Sequence, residues 1–598
     1  MTTPEEALGR SYDPELMRRM LAYLRTRRGL VAISVGLLIV NALLALVGPV
    51  LTKQALDVAV PHRDVGLLGT LTAAYLAALL LEFGTEYAQG LLTTYIGQGV
   101  MRDLRLELFG RLQRLSIPYF DRHPVGRLMT RVTSDVETLN ELFSSGVVAI
   151  FGDLFTLLAI MALMLGSDWR LALVAFAVIP LVWLTAWLFR RQVREAFRDI
   201  RVRLARLNSF LQEHLSGMRV VQLFGRERAA ADEFSRINRS HLDAHLRSIT
   251  IYAVFFPVIE VLSSVAVALI LWYGGVRYAS QTLTVGTLAA FIQLTRRFFQ
   301  PLQDLSEKFN ILQSAMASSE RIFGLLDAPV TVPEPVAPAT LRRPVRGEVR
   351  FDGVWFRYRP DGPWVLRDVS FTASPGQTVA LVGQTGAGKT TVISLLLRFY
   401  DPERGRITLD GVDIRDLPTA ELRRFIGFVQ QDLFLFTGDI LRNLRLDAPV
   451  PEAAAQVAAE RVGADRFIRR LPAGYGHVLG ERGKSLSVGE RQLLSFARAL
   501  TLDPAILVLD EATSSVDTEA EAQIQRAIAE LMTGRTSIVV AHRLSTVLHA
   551  DEILVFHHGE IRERGDHRAL LAARGLYERL YRLQLEGQAS RPHEGSAA

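Results

Sequence analysis

The run Gly383-Gln384-Thr385-Gly386-Ala387-Gly388-Lys389-Thr390 carries the densest chemical signal in this 598-residue chain. It lies after the apolar stretch Thr378–Val382 and leads into Thr391-Val-Ile-Ser-Leu-Leu, so the spacing falls in a strand–loop–helix context and reads as a P-loop. Glycines there let backbone N–H groups point at phosphate oxygens, and a helix N-terminus adds a favourable field. Lys389 supplies a charge for the β- and γ-phosphates, Thr390 a hydroxyl for Mg²⁺, and Thr391 closes the expected contact set. Nucleotide binding is the chemistry this segment predicts.

A second segment has the residue types for hydrolysis of a bound nucleotide. Ile506-Leu-Val-Leu-Asp510-Glu511 is an apolar strand ending in two acids. Asp510 suits Mg²⁺, directly or through water, and Glu511 on the other side of the strand is placed to polarise an attacking water. Upstream, Leu486-Ser487-Val488-Gly489-Glu490-Arg491-Gln492 opens a further helix.

That last motif resembles the signature of ABC transporters, usually Leu-Ser-Gly-Gly-Gln, and the resemblance extends in order along the chain. Tyr358 matches the aromatic that stacks on adenine and Gln431 the Q-loop glutamine, a further Mg²⁺ contact. Glu481 falls in the exporter X-loop, Ser514-Ser-Val-Asp517 matches the D-loop, and His542 the switch histidine. Each is weak alone; their order and spacing make the set specific. The resemblance implies an ATP hydrolase coupled to transport. Glu511, His542 and Gln431 are then its catalytic groups, and ATP and Mg²⁺ are bound by Tyr358, the loop 383–391 and Asp510. Ser487, Gly489 and Glu490 face the ATP of a second subunit.

These residues need a scaffold, and composition says which. Nearly half the chain is apolar (49%), and the apolar surplus lies before about Leu325. Crossing ~30 Å of hydrocarbon takes about 20 helical residues, and six stretches qualify: 30–51, 67–85, 147–166, 171–189, 251–273 and 285–302. The last is interrupted by Arg296 and Arg297. Loops after spans two and four are long and Arg-rich, which puts them, the N-terminus and the C-terminal half in the cytoplasm. The net charge of +6 therefore reads as membrane-flanking charge and not as a nucleic-acid surface. The lack of Cys excludes disulfides, thiol catalysis and Cys-ligated metals.

The expected fold is an all-α six-helix transmembrane domain with long cytoplasmic extensions, fused to an α/β P-loop nucleotide-binding domain. Residues 1–28 read as a cytoplasmic amphipathic elbow opened by Asp13-Pro14, 29–325 as the membrane domain, and 326–346 as a Pro-rich linker. The nucleotide-binding domain occupies 347–585 and a polar tail 586–598. By resemblance, 133–138 and 217–224 are coupling helices, and the second inserts into the partner's nucleotide domain. The expected location is a bacterial cytoplasmic membrane.

The signature departs from its usual form at two positions. Val488 is β-branched where a Gly normally allows close approach and φ > 0, and Glu490 adds negative charge near phosphates. Intact hydrolytic residues beside an altered signature resemble the Glu-bearing subunit of heterodimeric exporters, and that resemblance implies a heterodimer with one active and one degenerate site, its partner carrying an intact signature and a degenerate acid. A homodimer with a tolerated variant is the alternative. Glu82, Glu86, Asp153, Glu260, Arg296 and Arg297 lie in spans, where charge is costly. They read either as a polar cavity for amphipathic substrates or as acid–Arg pairs fixing the bundle. Multidrug export is the first expectation, with lipid flipping, peptide export, siderophore import and a nucleotide-gated channel as alternatives.

Overall fold

The first half of the chain builds helices far longer than a bilayer requires. The computed structural model describes residues 13–431, 433–510, 518–541 and 547–589. In chain order the helices are α1 (Pro14–Ala22), α2 (Arg28–Gln54), α3 (Val65–Arg114), α4 (Ile117–Arg122), α5 (Val125–Val132) and α6 (Ser134–Glu141). They continue as α7 (Val147–Ser167), α8 (Trp169–Phe176), α9 (Ile179–Ser216), α10 (Met218–Leu223), α11 (Glu227–Ala279) and α12 (Val285–Leu326). At about 1.5 Å per residue, the 50 residues of α3 and the 53 of α11 span more than twice the hydrocarbon thickness. Their Arg-rich ends must therefore project into water.

Among the described residues, five helices are long and apolar enough to cross a membrane. The expected sixth span lies on α12, where Gln293, Arg296, Arg297 and Gln300 dilute the apolar run. The core of the membrane unit gathers Ile160, Met164, Phe255, Ile259, Phe291 and Phe298 from α7, α11 and α12. Phe189 of α9 and Phe255 of α11 stack there with ring centroids 3.9 Å apart.

Asp13 caps α1 as expected, accepting from Glu15 N at 2.8 Å. The helix then docks on the far end of α12. Met20 is buried, Arg19 pairs with Asp327 at 2.6 Å, and its guanidinium sits 4.1 Å from the Phe323 ring centroid. On its other side α12 is held through Arg321, which forks onto Asp135 of α6 at 2.9 and 2.5 Å.

The contacts divide the chain into Met1–Gln113 with Pro124–Ala328, and Arg114–His123 with Pro329–Ala598. Within the expected coupling segment 133–138, Thr133 is the N-cap and the rest lies in α6, packed within the membrane unit through Asp135. The short helix that packs with the nucleotide unit is α4, opened by Pro118 in its first turn. The second expected coupling segment forms α10, with Leu223 and Phe224 exposed.

The nucleotide unit holds two main sheets. Strands β1 (Val349–Phe356), β2 (Leu366–Ala373), β4 (Arg404–Leu409) and β5 (Val412–Asp413) make an antiparallel one, in the order β2-β1-β4-β5. The strands of the other are β3 (Thr378–Gly383), β6 (Ile426–Val429), β9 (Ile506–Asp510), β10 (Thr536–Val540), β11 (Glu552–His557) and β12 (Glu560–Gly565). Their order is β12-β11-β3-β10-β9-β6, parallel apart from β12. A two-stranded ribbon pairs β7 (Gly438–Asp439) with β8 (Val478–Leu479). Strands β9 and β10 are buried along their whole length, the continuous apolar pattern of a parallel sheet covered on both faces.

The Pro-rich linker is not free. Buried Arg398 donates to Pro333 O at 2.8 Å, Glu334 accepts from Thr419 N at 3.0 Å, and Ala339 N donates to Asp416 O at 2.8 Å. The last helix, Leu576–Ala589, runs past 585 into the expected tail.

Candidate nucleotide site and membrane charges

Four neighbouring parallel strands bring the predicted residues to one edge. Val540 on β10 lies opposite both Leu381 on β3 and Asp510 on β9, and Val429 on β6 lies opposite Leu509. The P-loop, Asp510 and Gln431 therefore leave the sheet side by side at its C-terminal edge, where open α/β sheets bind ligands. Glu511 and His542, which continue β9 and come after β10 in sequence, lie outside the described residues, as do Ser514 to Asp517 of the expected D-loop.

The loop needs glycine at defined points. Gly388 caps helix α13 (Lys389–Leu396) with φ 102° and ψ 4°. A Cβ there would lie 2.7 Å from Leu366 and 3.1 Å from Val365 O. At Gly383 a Cβ would lie 2.4 Å from the carbonyl oxygen of Phe556 on the adjacent strand. Between them Gln384, Thr385 and Gly386 reach solvent and Ala387 is buried, so the loop is anchored beneath and open above.

Lys389 is buried and folds back over the loop, donating to Gly383 O at 2.6 Å and Gln384 O at 3.0 Å. An ammonium has three donors, which leaves capacity for an anion in the same cradle. Burial holds its pKa below the ordinary lysine range, and the Asp510 carboxylate opposes that shift. A phosphate beside it would favour the charged form. Thr390 is exposed next to the loop, while Gln431 is exposed just beyond β6. The hydroxyl, amide and carboxylate oxygens of Thr390, Gln431 and Asp510 are hard donors of the kind Mg²⁺ takes. Among the described residues no group of three or more His, Asp or Glu could hold a metal unaided. Phosphate oxygens and water would have to complete such a shell.

Thr391 is engaged elsewhere: its hydroxyl shares a hydrogen bond with the Tyr358 hydroxyl at 3.0 Å. Tyr358 stands edge-on to Phe356 and Tyr400, at 5.0 and 5.1 Å between centroids.

The signature residues take a form the sequence reading did not foresee. Ser487 caps the helix Val488–Leu500, its Oγ accepting from Glu490 N at 3.2 Å, while Glu490 Oε2 accepts from Ser487 N at 2.8 Å. This reciprocal capping box ties the Glu490 carboxylate to the helix N-terminus, where negative charge is favourable. Val488 is the first residue of a right-handed helix, so no positive φ is demanded of it. The expected φ cost at Val488 is thereby corrected, and the Glu490 charge is engaged by its own helix N-terminus. The Val488 side chain itself remains exposed. Nearby, Glu481 lines a cavity of about 710 Å³ with Phe434, Phe436, Arg442 and Asp447.

In the membrane unit, three of the predicted charges are paired internally. Glu82 lies 3.6 Å from Arg297, and Asp153 pairs with Lys308. Arg297 also donates to Ala45 O at 2.6 Å. Pro49 inside α2 has no N–H to reach that carbonyl four residues back, so Arg297 supplies the missing donor. Glu86, Glu260 and Arg296 retain access to the surface of the single chain. Sequence reasoning flagged Arg297 as a charge in a span. The Pro four residues after Ala45 was the available signal for its partner.

Comparison with known proteins agrees with this geometry. The family described as "ABC transporter transmembrane region" matches residues 31–302, and that described as "ABC transporter" matches residues 366–514. The chain is 36% identical over 573 residues to an ATP-dependent lipid A-core flippase of Syntrophus aciditrophicus, covering 96% of this chain and 95% of that one. It is 36% identical over 538 residues to a probable multidrug resistance ABC transporter ATP-binding/permease protein, YheH, of Bacillus subtilis, covering 89% and 79%. Among solved structures it is similar to a bacterial Atm1-family ABC exporter with ATP bound. The TM-score is 0.77 at 26% identity, over 98% of this chain and 100% of that one.

Proposed function

The chain belongs to the ABC transporters, with an exporter-type membrane domain fused to an ATP-binding domain, and from that premise we propose that it is one of two unequal subunits exporting amphipathic compounds. It is a multi-pass protein of a bacterial cytoplasmic membrane, with its nucleotide-binding domain on the cytoplasmic side, and it couples ATP hydrolysis to transport.

At the proposed catalytic site the loop 383–390 cradles the phosphates and Lys389 compensates their charge. Tyr358 stacks on adenine, and Thr390, Gln431 and Asp510 would hold Mg²⁺, which when bound would supply positive charge beside the phosphate oxygens. Glu511 polarises the attacking water, and His542, which follows β10 in sequence, contacts the γ-phosphate. The site is completed across the dimer by the other subunit's signature. This chain's Ser487, Gly489 and Glu490 in turn cover the partner's ATP. The exposed apolar tip of α10 suits the partner's cavity equivalent to that of Phe434, Phe436 and Glu481.

The observation that carries the unequal pair is Val488 at the first helical position of the signature. A side chain there, where the usual Gly has none, covers backbone that would approach the partner's ATP. Glu490, bonded to Ser487, adds no separate argument. Purified alone in lipid nanodiscs, the chain is expected to hydrolyse ATP only feebly, and to gain activity with a partner bearing an intact signature. Robust activity of the lone chain, abolished by Glu511→Gln, would instead establish a homodimer.

For the substrate, internal pairing of Glu82, Asp153 and Arg297 leaves Glu86, Glu260 and Arg296 to face a cargo or the partner. Charges of both signs on an apolar surface suit amphipathic molecules, and similarity to a multidrug protein and to a lipid flippase supports that class. Dye, lipid and peptide transport assays on the reconstituted pair separate multidrug export from its alternatives.

A further inference from the structure

The residues 115–123 lie between α3 and α5 in sequence yet pack with the nucleotide unit, and two of them, Arg122 and Asp121, reach Tyr358 and Tyr400. Arg122 Nη2 donates to the Tyr358 carbonyl oxygen at 3.1 Å. Asp121 accepts a hydrogen bond from the Tyr400 hydroxyl. The Tyr400 ring meets the Tyr358 ring edge to face, with centroids 5.1 Å apart and planes at 86°. Phe356 meets both rings, at 5.0 and 5.4 Å. The Tyr358 hydroxyl is held by Thr391 on the helix that the P-loop opens.

Tyr358 is thus fixed at its backbone, its ring plane and its hydroxyl, by three different elements. It still exposes 41% of its surface. An aromatic platform receives a base best when its plane is set beforehand, because ordering a side chain on binding weakens affinity. Tyr400 sets that plane, and Asp121 holds Tyr400. Burial, then the bond to Asp121, push the Tyr400 phenol well above its ordinary pKa, so it stays a donor throughout the working range.

We propose that Asp121, Arg122 and Tyr400 are positioning residues for the purine-stacking face of Tyr358, so that the segment carrying α4 sets affinity for the base of the nucleotide. The proposal rests on the reading of Tyr358 as the adenine platform. By reciprocity of linked equilibria, base binding stabilises α4 in its seat by the same factor. The triphosphate, held by the loop 383–390, is not part of this linkage.

The test uses the full-length transporter in nanodiscs, with Glu511→Gln to suppress turnover, and titrates MgATP and Mg-tripolyphosphate by calorimetry. Asp121→Ala, Tyr400→Phe and Arg122→Ala should each weaken ATP by about three- to tenfold, as expected for losing one positioning hydrogen bond. Tripolyphosphate should change by less than about twofold. Asp121→Asn, which keeps an acceptor for Tyr400, should recover most of the loss. Asp121→Ala with Tyr400→Phe should be no worse than either alone. If the positioning variants leave the ATP-to-tripolyphosphate ratio unchanged while Tyr358→Ala lowers it, stacking stands and the positioning proposal falls. If Tyr358→Ala also leaves the ratio unchanged, both readings fall. Should Asp121→Ala not fold, Tyr400→Phe, which removes one oxygen, decides the matter alone.

Discussion

Replacing Glu490 separates two views of the signature helix. Read from sequence, its carboxylate is an unwelcome charge near phosphates; in the fold it accepts from Ser487 N at 2.8 Å as half of a capping box. Glu490→Ala removes that acceptor, and losing such a cap costs about 0.5–2 kcal/mol. The lost charge at the helix N-terminus adds about 0.3–1 kcal/mol. Glu490→Gln keeps an amide oxygen at the same reach and so keeps the box, losing only the smaller second contribution. For a domain of this size about 1 kcal/mol moves the melting temperature by roughly 2–4 °C. The Gln variant should therefore melt within about 1–4 °C of the parent and the Ala variant about 2–12 °C below it. Hydrogen exchange of the Ser487 and Glu490 amides should quicken strongly in Ala and little in Gln. ATPase activity of the Gln variant should stay within about threefold, because the charge is already engaged by the helix. Equal destabilisation by Gln and Ala would refute the capping role. A tenfold or greater rise in ATPase with Gln would restore the electrostatic reading.

Contacts elsewhere make further outcomes testable. Arg297→Met leaves Ala45 O without a donor and should destabilise the membrane unit by about 1–3 kcal/mol. Adding Pro49→Ala restores the α2 N–H to that carbonyl and should recover part of the loss in a thermal-inactivation assay, whereas an additive loss would refute the pairing. Gly388→Ala forces a Cβ against Leu366 at φ 102° and should cost about 2 kcal/mol or more, with ATP binding lost in equilibrium titration. The Lys389 pKa is lowered in the fold, so the nucleotide-free domain gains stability as pH rises from that folded pKa towards the unfolded 10.5. Bound phosphate prefers charged Lys389, so MgATP affinity should fall over the same alkaline window, and calorimetry from about pH 7 to about pH 10 checks the sign. Asp135→Ala, which strips the half-exposed Arg321 of its forked partner, should cost about 1–2 kcal/mol and free the α12 end to proteolysis.

The P-loop, the strand ending at Asp510, the cap at Asp13 and five of the six spans were legible because each is a contiguous pattern. A run of apolar residues, or a Gly at a fixed offset from Lys389, acts through bonds spanning a few residues, so order along the chain contains the physics. The signature helix was legible as a helix. The use of Glu490 was not, because the same residue type can face a ligand or turn back on its own N-terminus. The resemblance that points to 133–138 as a coupling segment is local in sequence, whereas the grouping of α4 at Ile117–Arg122 with the nucleotide unit depends on contacts far apart along the chain.

Sequence by itself thus determined a membrane half and a nucleotide-binding half, their order, and the glycine-rich loop between β3 and α13. Only the tertiary structure decided which distant groups complete one another. Arg297 reaches the Ala45 carbonyl across 252 residues, and Tyr400 reaches Asp121 across 279. An unsatisfied carbonyl or an unheld tyrosine accepts any donor or acceptor of suitable reach. Packing of whole helices, and not the residue type at either end, selects the partner.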